Sequence, residues 1–106
     1  MIANPYALQI TNLKVNTLLG VANGKVTLTA TIVTTSPIDD IEVEFYGDKE
    51  YDVDIYGYKS QSGKITFTKD VTIPANCLPG TYHLQFKVKV SKGLETIEEI
   101  DGFVIK

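Results

Sequence analysis

Residues 82–90, YHLQFKVKV, alternate apolar and polar side chains along their whole length. A strand points successive side chains to opposite faces, whereas a helix returns to one face about every 3.6 residues. Tyr82, Leu84, Phe86, Val88 and Val90 therefore share an inner face, and His83, Gln85, Lys87 and Lys89 an outer one. A chain that repeats this period can bury its apolar face only against a second sheet or by closing on itself.

The period does repeat. In 25–33, Val26, Leu28, Ala30 and Ile32 alternate with Lys25 and three threonines. In 40–46, Ile41, Val43 and Phe45 point one way, and Asp40, Glu42, Glu44 and Tyr46 the other. In 51–56, Tyr51, Val53 and Ile55 alternate with Asp52, Asp54 and Tyr56. In 64–73 the apolar set is Ile65, Phe67, Val71 and Ile73; Lys69 takes the inward parity, so a bulge or strand end is expected there. Segment 8–15 breaks phase between Ile10 and Leu13, which also predicts a bulge. Segment 94–105 carries Leu94, Ile97, Ile100, Phe103 and Ile105, with Gly102 as a kink. The 97, 100, 103 spacing is helix-like, but the segment is short, Gly102 interrupts it and no cap precedes it.

Turn chemistry separates these seven segments. Asn23-Gly24 reads as a strong hairpin signal, Gly47-Asp48 and Ser62-Gly63 as weaker ones, and Lys92-Gly93 as a hairpin tip. Ser36-Pro37 and Pro79-Gly80 read as wider crossings, where proline presets φ and glycine accepts a positive φ. The reading is a single domain over residues 1–106, with no repeat, linker or low-complexity segment.

Charge and composition narrow the function. Net charge is −3, and all ten basic residues are lysine. Without a basic face or arginine's bidentate fork, no nucleic-acid partner is expected. Tryptophan is absent too. No apolar run reaches the ~18 residues of a membrane span, so direct insertion by this segment is not expected. The start, MIANPYALQI, lacks a charged n-region and a long apolar stretch, so it does not read as a secretory signal. The chain is then either intracellular or begins after a removed signal. Cys77, the only cysteine, cannot form an intrachain disulfide and reads as a small buried apolar side chain.

The stretch 71–88, VTIPANCLPGTYHLQFKV, resembles the corner between two strands of immunoglobulin-like and fibronectin type III-like domains. Pro79 and Gly80 would turn the corner, and Tyr82 would open the next strand with its hydroxyl bonded back to the backbone just upstream. From ALQITNLKV to GLETIEEIDGFVI the pattern is also similar to Ig-like modules of secreted proteins and surface lipoproteins of gut bacteria. The resemblance implies an all-β fold, a seven-stranded antiparallel Ig-like β-sandwich with Greek-key connections. It also implies a non-catalytic binding or spacer module outside the cytoplasm, at the cell surface or in the periplasm. The chain departs from antibody-type domains in lacking a cysteine pair and a tryptophan.

The most unusual composition lies in 39–58, which holds eight acidic residues and four of the six tyrosines against one base, Lys49. Three readings compete for it. A calcium site needs oxygens that converge, but alternate residues of a strand lie in a row, and the spacing matches no EF-hand. A solvated face is the second reading. In the resembling fold Glu42 and Glu44 would stand opposite Lys87 and Lys89, and Asp52 and Asp54 would protect an edge strand. The third is a ligand-binding surface of Tyr46, Asp52, Asp54, Tyr56 and Tyr58, suited to a protein or glycan partner.

Catalysis is not expected. His83 is the only histidine, it faces outward, and no neighbour in sequence orients it. One cysteine and one histidine make no zinc constellation, and no cofactor motif is present, so no metal or cofactor is assigned. A monomer is expected. The alternative is a structural subunit that assembles through edge-strand contacts, as in an appendage or a virion decoration.

Overall fold

A computed structural model describes residues 8–106; the lead-in 1–7, where the signal reading falls, lies outside the described residues. The strands are β1 (Leu8–Val15), β2 (Leu19–Gly20), β3 (Lys25–Thr34), β4 (Ile38–Tyr46), β5 (Glu50–Ile55), β6 (Gly63–Thr72), β7 (Gly80–Val90) and β8 (Glu95–Ile105). They form a three-stranded sheet in the order β1-β3-β6 and a five-stranded sheet in the order β2-β8-β7-β4-β5. Every pairing is antiparallel except β2 with β8, which is parallel. The fold is all-β, and among the described residues no helix is long and apolar enough to cross a membrane.

The alternation dictates the core. Val26, Leu28, Ala30 and Ile32 of β3 and Ile65, Phe67 and Val71 of β6 are buried against Ile41, Val43 and Phe45 of β4 and Leu84, Phe86 and Val88 of β7. Phe67 and Phe86 meet with ring centroids 4.8 Å apart, which joins the two sheets. The β3–β4 crossing at Ser36-Pro37 is tied by Thr34, whose hydroxyl donates to the Ser36 carbonyl at 2.7 Å. The β6–β7 crossing is tied by Tyr82, whose hydroxyl donates to the Leu78 carbonyl at 2.6 Å.

Eight strands replace the expected seven. β2 is too short to show a period, and its place depends on Gly20. A Cβ on Gly20 would stand 2.5 Å from Ile73 Cδ1 and 3.1 Å from the Phe103 ring of β8, so any larger residue would push these core side chains aside. Because β2 joins one sheet and β3 the other, Asn23-Gly24 closes no hairpin. Gly24 N–H bonds Val21 O, and the turn docks on the end of β6 through Asn23 N–H to Ile73 O and Ile73 N–H to Gly24 O. Ser62-Gly63 likewise crosses between sheets, since β5 and β6 are not paired. Gly47-Asp48 and Lys92-Gly93 do sit in hairpins, β4–β5 and β7–β8.

The β1 bulge is present between Thr11 and Lys14, with Asn12 at φ 57°. At Lys69, where a bulge or a strand end is expected, there is no bulge, and the strand runs on to Thr72. β6 stays in register with β3 from Thr72 to Gly63. Lys69 keeps its inward parity because its long side chain carries the ammonium out to Gly57, where a Cβ would stand 3.8 Å from Nζ. In β8, Tyr82 faces Phe103 and Leu84 faces Ile100, so His83 alone stands against Asp101 and Gly102. This bulge, with Gly102 at φ 75°, shifts the phase of the strand. As a result Ile97 falls on the outer face opposite Lys87 and is exposed, as is Leu94 before the strand.

Candidate functional site

The outer face of the five-stranded sheet gathers the chain's polar chemistry into rows that follow from register. Glu95, Lys89 and Asp40 make one row; Ile97, Lys87, Glu42 and Asp54 the next. Glu99, Gln85, Glu44 and Asp52 follow, and then His83, Tyr46 and Glu50, with Asp101 beside His83. The pairing expected between β4 and β7 is therefore offset: Glu42 stands opposite Lys87, Asp40 opposite Lys89, and Glu44 opposite Gln85.

Glu44 is also not the solvated side chain that its parity suggests. It is 7% exposed, standing between Gln85 of β7 and Asp52 of β5, and Lys87 Nζ donates to its Oε1 at 2.9 Å. That bond holds the Lys87 ammonium above the ordinary lysine range. Lys87 Nζ lies 4.0 Å from Glu42 as well. Partial burial, and then the nearby charge of Asp52, push the Glu42 carboxyl up. Glu42, Glu44 and Asp52 bring carboxylate oxygens within 4.8 Å of one another, and the Lys87 ammonium already supplies the cation.

The five residues read as a binding surface are placed as follows. Tyr46, Asp52 and Asp54 share the outer face of β4–β5, with Asp52 and Asp54 on the edge strand β5, and Tyr56 follows the end of that strand. Tyr46 and Tyr56 are exposed but stand at opposite ends: Tyr46 pairs Glu50, whereas Tyr56 follows Ile55, which pairs Ile41. Tyr58 lies elsewhere. Its ring packs on Phe67 at 4.9 Å, and its hydroxyl bridges the Thr68 backbone, accepting from N–H at 3.3 Å and donating to the carbonyl at 3.2 Å.

Sequence reasoning missed the partners of His83. Its Nδ1 lies 2.7 Å from Asp101 Oδ1 and 3.4 Å from Glu99 Oε2. The hydrogen bond to Asp101 raises the imidazole and holds the Asp101 carboxyl below the usual range. Gln85 donates to the other Glu99 oxygen, Oε1, at 3.0 Å, and the Tyr46 ring lies 6.3 Å from the imidazole. The signal was present in EEIDG, but only the β7–β8 pairing brings it beside residue 83. A groove of about 700 Å3 adjoins this cluster, lined by Tyr46 to Lys49 on one side and Leu78 to His83 on the other.

The chain matches no protein-family model, no curated protein and no solved structure.

Proposed function

We propose that the chain is a non-catalytic binding or spacer module of an extracytoplasmic, cell-surface protein, built as an immunoglobulin-like sandwich with Greek-key connections. Its strand order, with the third element pairing the first and sixth and the seventh pairing the fourth and eighth, supports that reading of the fold. So does the Tyr82–Leu78 bond at the β6–β7 corner.

The observation that carries the functional reading is the placement of the first and last strands. β1 begins at Leu8, beside Thr34 and Gly63, whereas β8 finishes at Ile105, beside Gly80. These are opposite ends of a body measuring 47 × 26 × 22 Å. A module threaded end to end displaces whatever lies on either side of it and leaves its broad outer face free. That face offers Tyr46, Asp52, Asp54 and Tyr56 to a protein or glycan partner. The test is a glycan array and a pull-down from the cell surface with the native chain and with Tyr46→Ser/Tyr56→Ser. The double variant should melt as the native chain does and lose the partner; unaltered binding rejects the surface.

A second reading, assembly through sheet edges, is favoured by β6, a ten-residue edge strand without a bulge. Light scattering over a concentration series separates the two, since a mass that stays monomeric throughout excludes edge assembly.

A further inference from the structure

We propose that His83, Glu99 and Asp101 form a binding site for a divalent transition-metal ion of the zinc type. The three side chains project from β7 and β8 and bring one nitrogen and two carboxylate oxygens within 4.8 Å of one another. Metal–nitrogen and metal–oxygen bonds of about 2.0–2.2 Å put neighbouring donors about 3.0–3.4 Å apart, depending on geometry. His83 Nδ1 to Glu99 Oε2, at 3.4 Å, already has that spacing, and His83 Nδ1 to Asp101 Oδ1, at 2.7 Å, needs to open by a few tenths of an ångström.

The arrangement is built rather than scattered. In a regular antiparallel pair each residue of β7 would face one residue of β8. The bulge sets two, Asp101 and Gly102, against His83, which brings Asp101 into reach while Glu99 stays on the same face. Gln85 holds Glu99 by Oε1 and leaves Oε2 toward the imidazole, the way an outer hydrogen bond orients a metal-binding carboxylate. Charge supports the same conclusion. Two carboxylates adjoin one imidazole, whereas the other acidic group found among the described residues, Glu42, Glu44 and Asp52, is already served by Lys87.

Imidazole with carboxylates selects zinc and its first-row neighbours over calcium, which takes six to eight oxygens. Three protein ligands leave at least one position for water or for a donor from a partner. His83 also lines the 700 Å3 groove, so the ion would sit at the rim of a concavity beside this face.

The chain has one histidine, so the experiment is direct. Zinc chloride alone is titrated into the full chain by calorimetry, with calcium chloride in a parallel run, and the imidazole resonances are followed by NMR. One zinc per chain is expected, with the imidazole resonances shifted and no such shift with calcium. His83→Gln should abolish the binding, Asp101→Asn should weaken it at least tenfold, and Gln85→Met should weaken it by about tenfold through loss of Glu99's support. Unmoved imidazole resonances in millimolar zinc overturn the proposal, as does zinc binding that survives His83→Gln. The imidazole readout uses the native chain and decides the matter even where a variant fails to fold.

Discussion

Tyr82 illustrates how much one hydroxyl can carry. Its ring is buried, its O–H donates to the Leu78 carbonyl, and burial pushes its pKa up to about 12. Tyr82→Phe keeps the ring but leaves that carbonyl short of its partner, so the expected loss is about 1–3 kcal/mol in chemical denaturation. The pH dependence has a definite sign. A folded-state pKa above the ordinary value near 10 means that the folded chain holds the phenolic proton more tightly than the unfolded one. The contribution is complete below about pH 10 and is lost as pH rises through about 12. The native chain should therefore lose stability over that interval by more than Tyr82→Phe does; parallel alkaline limbs would show that Tyr82 is not the group responsible. This residue was legible in the sequence because the corner that it ties is local, four residues long. Glu44 was not. Parity set it outward correctly, but only the neighbours from β7 and β5 decide that it is buried and bonded to Lys87. The partners of His83 escaped for the same reason: Asp101 and Glu99 are distant in sequence, and the bulge that aligns them has no period to read.

The strands themselves were largely written in alternation, since a half-buried strand must repeat every two residues. What alternation could not specify was which edges pair. β2 escaped because two residues show no period, and Asn23-Gly24 misled because a tight turn closes a hairpin only when the flanking strands share a sheet. Edges also raise the question of self-association, and β6 answers it through Tyr58. The Tyr58 hydroxyl bonds both backbone groups of Thr68, which are the groups an incoming strand would need. Tyr58, which the sequence offers as part of a binding surface, has its hydroxyl on this edge. Tyr58→Phe retains the packing on Phe67 and frees Thr68. The variant should show a mass that grows with concentration in light scattering while the native chain stays monomeric. If the variant stays monomeric at millimolar concentration, Tyr58 does not guard the edge. If both associate equally, assembly proceeds elsewhere, and the second functional reading gains.

The shape of the molecule follows from these pairings. A compact chain of this length has a radius of gyration of ~13 Å. The value here is 14.2 Å over Cα atoms, because ten- and eleven-residue strands set the long axis at 47 Å while two layers limit the others to 26 and 22 Å. The rows of the outer face run across the strands and succeed one another along that axis, so a partner meets an acidic strip. At either end of the β4–β5 part of it stand Tyr46 and Tyr56. Because β1 starts at one end, at Leu8, and β8 finishes at the other, at Ile105, length should add when such bodies are joined. A fusion of two copies, Lys106 followed directly by Met1 of the next, should give by solution X-ray scattering a maximum dimension close to twice that of one copy. A folded-back pair, with a dimension near that of a single body, would remove the spacer role. The outer face would then be left to justify the module by binding alone, and the Tyr46→Ser/Tyr56→Ser comparison would become the deciding measurement.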